Sequence, residues 1–243
     1  MPKRERVNNM KKETLQYYSA VTKREMSAVI ITPENGAPHN VLYALHGYWG
    51  DEHSLSDDSE IRAVIDECFS DYTIVFPYIY ISRTREKCTA LDYINSSAYD
   101  SFIFELTSAL MPVVEKKYKV LKRAICGFSM GGREALYIAF MRPDLFFAVG
   151  AACPAPGLTP GEDKSFHPGQ LQEEFFRPCT APELYPKILI SASENDGVVG
   201  KIPYHYAQLL KENSVPFKLQ EIAKGEHNNS AVAVHMRELA TIL

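Results

Sequence analysis

The sequence predicts an α/β fold: one mostly parallel sheet with helices on both faces. Three observations carry this. Strand-like and helix-period segments alternate along the whole chain. The runs VLYAL, RAICG, LFFAVGAA and KILISAS are mostly apolar, as strands buried on both faces are. No internal repeat, low-complexity tract or flexible linker interrupts the pattern, so residues 1–243 read as a single domain.

The elements follow in order. Residues 17–22 and 26–32 read as an opening strand pair, antiparallel at the sheet edge, and 41–45 as a short apolar strand ending at His46-Gly47. Residues 54–69 read as a helix and 72–77 as the next strand. Residues 99–119 have helical periodicity, with Pro112 expected to kink them. A strand at 123–127 runs into a helix at 133–140; strands at 145–152 and 187–193 follow. Helices at 201–213 and 229–243 flank a last strand at 217–222. The exception is 154–186, which carries seven prolines and is expected to roof the site as a loop.

Composition excludes several classes. The chain has 243 residues, 46% hydrophobic, with 26 Lys plus Arg against 30 Asp plus Glu and a net charge of −4. That is globular, and it gives no electrostatic footprint for nucleic acid. The basic cluster Lys3, Arg4, Arg6, Lys11, Lys12 reads as a solvated tail. The longest uncharged run, 145–161, holds Pro154, Pro156 and Pro160, which a spanning helix of ~20 residues would hardly carry, so no membrane association is expected. The basic start is followed by ETLQYYSAV, not an apolar h-region, so a cytoplasmic protein is expected. Five Cys at wide spacing, with no CxxC, read as free thiols, Cys126 and Cys153 among them buried.

The strongest motif is Gly127-Phe128-Ser129-Met130-Gly131. It follows a strand and opens a helix, the setting of a nucleophile elbow, in which a sharp turn exposes the serine hydroxyl. The bland alternative is an N-capping serine. A serine needs a base, and in this arrangement the chain order is Ser, acid, His. Of the histidines after Ser129, His227 lies on a loop after the strand 217–222, where open α/β sheets keep their sites. His205 and His235 fall in helices, and His167 falls in the Pro-rich loop. The acid is expected after KILISAS, where Asp196 is favoured, next to the permissive Gly197, and Glu194 competes.

An oxyanion hole needs two backbone N–H groups. Met130 follows the nucleophile, and Tyr48 lies in the early loop His46-Gly47-Tyr48-Trp49-Gly50. His46 precedes the serine and reads as a brace for that loop. Trp49, Tyr78 and Tyr80 are candidates to line a pocket for an aromatic or sugar ring, as are Pro156 and Leu158 from the Pro-rich loop. His46, Asp51 and His53 match no metal motif, and no dinucleotide or P-loop motif occurs, so neither metal nor cofactor is expected.

These residues resemble the esterase-D-type, carbohydrate esterase family 1 branch of the α/β-hydrolases. The resemblance runs nearly end to end: LQYYSAVTKREMSAVIITP, ALHGYWGDE, LMPVVEKKYKV, ICGFSMGGREALYIAFMRPDLF, AACPAPGLTPGED and SENDGVVG. KGEHNNSAV departs from it, since members usually carry an aromatic residue or Asp after the His. The resemblance implies a Ser129–Asp196–His227 triad with Tyr48 and Met130 as oxyanion donors. It also implies a serine esterase acting on feruloyl or acetyl esters of xylan or oligosaccharides. An S-formylglutathione hydrolase-like thioesterase, an acyltransferase and an inactive carbohydrate-binding relative are the alternatives.

Overall fold

The computed structural model describes residues 10–34, 39–81, 98–99, 101–156 and 185–243. Its opening strand is β1 (Met10–Ser19), which starts earlier than the predicted 17–22. Leu15, Tyr17 and Ser19 turn inward in alternation with the exposed Gln16 and Tyr18, the two-residue period of a strand, and Lys11 and Lys12 are exposed at its start. Lys11 and Lys12 are therefore strand residues rather than a tail, paired with Glu13 and Asp57. Residues 20–23 are the hairpin turn, and β2 (Arg24–Pro33) returns antiparallel.

The remaining strands are β3 (His39–Leu45), β4 (Tyr72–Pro77), β5 (Val120–Phe128), β6 (Ala148–Ala152), β7 (Lys187–Ser193) and β8 (Lys218–Ile222). They join one eight-stranded sheet of order β1-β2-β4-β3-β5-β6-β7-β8. Pairing is parallel from β4 through β8, and β2 runs antiparallel to both its neighbours. The strand predicted at 145–152 begins only at Ala148, because the Leu145 N–H closes a turn onto Arg142 O at 3.0 Å.

Helix α1 (Ser59–Cys68) is shorter than the predicted 54–69. Asp58 is extended, and its carboxylate accepts from the Glu60 and Ile61 N–H groups, which fixes the N-terminus there. Helix α2 (Phe102–Glu105) passes through a π-turn (Leu106–Leu110) into α3 (Met111–Lys117). Pro112 lacks an N–H, and the widened turn just before it accommodates the missing bond. Helices α4 (Met130–Met141), α5 (Ile202–Glu212) and α6 (Asn229–Ala240) complete the fold.

The strand side chains divide between two cores. Val29, Ile31, Leu42, Ala44 and Ala124 pack with α1 and α6 through Ile61, Val64, Val232 and Met236. Ile30, Val41, Tyr43, Ile125 and Val149 pack with α2, α3, α4 and α5 through Phe102, Val114, Leu136 and Tyr206. Both faces are thus covered, as the apolar strands required. No helix among the described residues is long and apolar enough to cross a membrane.

His235 shows how tightly α6 meets the sheet. It is fully buried, which pushes its imidazole down to about 3 and keeps it neutral. Its Nδ1 lies 2.6 Å from Ser191 Oγ, which in turn donates to Gln220 Oε1 at 2.6 Å. A Cβ on Gly150 would sit 2.5 Å from His235 Nε2. Gly150→Ala is therefore expected to destabilise the protein by about 1–3 kcal/mol, the range for overpacking. Gly197→Ala, where a Cβ meets nothing within 4 Å, is the control and should be close to neutral. Urea midpoints of the two variants check this; equal midpoints would contradict it.

The register sets the strand ends. Leu45 is level with Gly127, Phe128 with Ala152, Ala152 with Ser191, and Ser193 with Ile222. The carboxyl ends of five parallel strands therefore release their loops along one edge, where open α/β sheets bind ligands.

Candidate active site

At this edge β5 turns abruptly into α4. Ser129 takes φ 54 and ψ −117, a region that residues with a Cβ avoid. The turn is feasible only because a Cβ on Gly127 would lie 2.2 Å from Gly131 O, and one on Gly131 would lie 2.4 Å from His46 O. Both positions must be glycine for strand, helix and neighbouring loop to approach. Ser129 stands at the N-cap of α4, yet its hydroxyl makes no capping hydrogen bond. The capping alternative raised by the sequence is therefore not how the side chain is used. Its carbonyl accepts from the Arg133 and Ala155 N–H groups, each at 3.0 Å, and its own N–H donates to Ala152 O at 3.0 Å.

The loops after β7 and β8 bring the acid and the imidazole together. Asp196 Oδ2 lies 2.7 Å from His227 Nδ1, and Oδ1 accepts from the Val198 and Val199 N–H groups at 2.9 Å each. Burial by itself would raise the Asp196 carboxyl. The Val199 N–H, the His227 imidazole and the Val198 N–H outweigh it and hold it below the usual carboxylate range. An ionised Asp196 requires the proton on His227 Nδ1, which leaves Nε2 free to accept one. The Phe128 ring lies 4.5 Å from the imidazole, centroid to centroid.

Glu194 points elsewhere: it is exposed, and its carboxylate accepts from the Lys224 N–H at 2.8 Å. With Asn195 N–H donating to Gly225 O at 2.8 Å, it joins the two loops from outside. Gly197 does not use a positive φ, so the permissiveness expected of it is not what places Asp196. Asn228 caps α6 through the Ala231 N–H, and Asn229 donates to Asp58 Oδ2 at 3.0 Å. Asn228, where the sequence departs from the family pattern, and Asn229 thus anchor the His227 loop.

The turn after β3 closes over the serine. A Cβ on Gly47 would lie 3.4 Å from Ser129 Cβ. Gly47 O accepts from the Gly50 N–H at 3.1 Å and faces His46 Nδ1 at 2.7 Å. In a trans peptide the Tyr48 N–H points opposite to that tethered carbonyl. His46 Nε2 accepts from the Ile79 N–H at 3.1 Å, so both ring nitrogens are committed to bracing the loop. The Met130 N–H is a first-turn donor of α4, with no helical partner of its own.

The aromatic candidates separate. Trp49 is 61% exposed, at φ 61, with its ring 4.7 Å from the half-buried Tyr48 ring. Tyr78 and Tyr80 are buried core residues; Tyr78 faces the His46 ring at 5.7 Å and Tyr80 faces Tyr99 at 5.2 Å. Both belong to the larger core cluster, Tyr78 beside the loop that follows β3. Pro156 is half-buried one residue beyond Ala155, which bonds to Ser129. Leu158 and most of the Pro-rich stretch lie outside the described residues. Cys153, which the sequence read only as a core residue, sits fully buried with φ 43 and Sγ 3.3 Å from Ser193 Oγ. Burial pushes its thiol up to about 11, so it is no nucleophile.

Among the described residues, six non-glycine positions have positive φ, and Trp49, Ser129, Cys153 and Lys224 belong to the loops of this edge. Such concentration of backbone strain is characteristic of functional sites. A sheet wound in this order, with its strained serine between β5 and α4, makes the protein an α/β-hydrolase. The family model described as "Putative esterase" matches residues 19–196, and the chain belongs to that family: it is a carboxylic ester hydrolase. It is similar to a CE1 ferulic acid esterase from Anaeromyces mucronatus, solved in complex with ferulic acid. The two share 34% identity over 98% of this chain and 92% of the other, with a TM-score of 0.85. An S-formylglutathione hydrolase from Staphylococcus aureus, at 18% identity, has the same fold, with a TM-score of 0.75 over 98% of this chain and 97% of that one.

Proposed function

We propose that the protein hydrolyses feruloyl or related cinnamoyl esters of plant-derived xylan or oligosaccharides through an acyl-enzyme on Ser129. In this reading Ser129 Oγ attacks the ester carbonyl and His227 Nε2 takes its proton. The Tyr48 and Met130 N–H groups receive the oxyanion, and Asp196 holds the imidazole tautomer and stabilises the imidazolium. The alcohol leaves with the proton from His227, and water repeats the sequence to free the acid. None of these steps calls on a metal or cofactor.

The observation that carries the choice of substrate is the 34% identity, over nearly the whole chain, to an esterase solved with ferulic acid. The exposed Trp49, beside Tyr48 in the turn over Ser129, adds an aromatic surface suited to a ring. Methyl ferulate, acetylated xylan, p-nitrophenyl butyrate and S-formylglutathione, compared by kcat/KM, test the proposal. Methyl ferulate is expected to be the best of the four. A higher value for acetylated xylan would move the reading to acetyl esters, and a higher value for the thioester would overturn it.

A further inference from the structure

The structure brings a third reactive group to the Asp196–His227 pair. One ligand atom each from Cys153, Asp196 and His227 lies within 4.8 Å of the other two. Cys153 follows β6, Asp196 follows β7 and His227 follows β8, so three adjacent strand ends converge on one point. We propose that these three residues form a binding site for a thiophilic divalent cation of the Zn2+ or Cd2+ type, and that its occupation arrests the esterase. The arrest rests on the reading of His227 as the base; the site itself does not.

The donor set suits such an ion: one sulfur, one imidazole nitrogen and one carboxylate oxygen. Thiolate and carboxylate together cancel a 2+ charge, so the filled site is neutral, as a buried site must be. Asp196 Oδ1 is held by the Val198 and Val199 N–H groups, which leaves Oδ2 to turn toward an ion. Cys153 is fixed by its N–H bond to Ser191 O at 2.9 Å. Ser193 Oγ, 3.3 Å from Cys153 Sγ, or a water supplies a fourth oxygen. With metal–donor bonds of about 2.0–2.3 Å, tetrahedral donors stand roughly 3.3–3.8 Å apart, so closure needs side-chain shifts of about 1 Å. His227 is the partly exposed member and marks the way in.

The chemistry of arrest balances. The cation displaces the thiol proton to solvent and takes the His227 Nδ1 lone pair, which moves the ring proton to Nε2. One proton is released, and no oxidation occurs. With its proton on Nε2, His227 can no longer accept the serine proton, and Asp196 Oδ2 is spent on the metal.

Titration with CdCl2, followed by the ultraviolet thiolate-to-cadmium charge-transfer band, tests the site without reference to activity. The wild-type protein and Cys68→Ala, whose thiol is half-buried elsewhere, should show a Cys153-dependent band at one equivalent. Cys153→Ala should lose it. Cys153→Ser, which keeps shape and adds a weaker donor, serves if the alanine variant does not fold, and should also lose it. The CdCl2 concentration that halves p-nitrophenyl acetate hydrolysis should rise roughly tenfold or more in either variant. A band and an inhibition that survive both substitutions overturn the site. A Cys153-dependent band with undiminished hydrolysis leaves the site standing and overturns the arrest, through the assignment of His227.

Discussion

Ser129→Ala should abolish ester hydrolysis, lowering kcat by about 10⁶, because nucleophile and base act as a unit. The hydroxyl stands in a turn held by backbone bonds: Ser129 N–H to Ala152 O, and Arg133 and Ala155 N–H to Ser129 O, each at 3.0 Å. None of these passes through the side chain, so the elbow should survive the substitution. The thermal midpoint should stay within a few degrees of the wild type, and labelling by a serine-reactive fluorophosphonate should disappear. Residual hydrolysis near the wild-type rate in a folded variant would remove Ser129 from the mechanism.

Asp196→Asn should lower kcat by about 10⁴ with little change in KM, the penalty for holding the wrong imidazole tautomer. The reason lies in the two oxygens. Oδ1 accepts from the Val198 and Val199 N–H groups, so in the asparagine the carbonyl oxygen keeps that side. The amide NH2 then faces His227 Nδ1, 2.7 Å away, and both would be donors unless the ring proton moves to Nε2. Glu194→Gln should leave kcat within a few-fold, because the Glu194 carboxylate accepts from the Lys224 N–H on the outside of the loop, away from the His227 ring. A larger loss in the Glu194 variant would reverse the assignment. Asp196 also carries a pH dependence. Its pKa is lowered on folding, so its contribution to stability is present above the unfolded carboxyl value of about 3.9 and fades as pH falls through the folded value. Asp196→Asn should therefore flatten the acid side of the stability profile, measured by urea midpoints between neutral and acid pH.

Much of the fold was legible along the chain because its signals are local. An apolar run of five to seven residues must be buried on both faces, and a Gly-x-Ser-x-Gly between strand and helix can be built in few ways. The chain order of serine, acid and histidine narrowed seven histidines to the four after Ser129, and the loop after a strand singled out His227. The limits of β1 were not legible, since Lys11 and Lys12 in an amphipathic edge strand look like a charged tail until Leu15 and Tyr17 have a face to bury. Nor was the strand start at Ala148, which a turn from Arg142 decides within an unbroken apolar run.

The serine, the histidine and a choice of two acids were thus legible in the sequence as candidates, because turn chemistry and strand order constrain them one loop at a time. Which acid meets the imidazole depended on how the eight-residue loop 194–201 folds against the loop of the next strand, with Glu194 taking the Lys224 N–H and Asp196 the His227 ring. The burial of Tyr78 and Tyr80, the use of both nitrogens of His46, and the meeting of Cys153 with Asp196 and His227 were also decided in three dimensions. Residues 153, 196 and 227 have no relation along the chain. They meet because parallel pairing puts the ends of β6, β7 and β8 side by side, at the ~4.8 Å spacing of hydrogen-bonded strands.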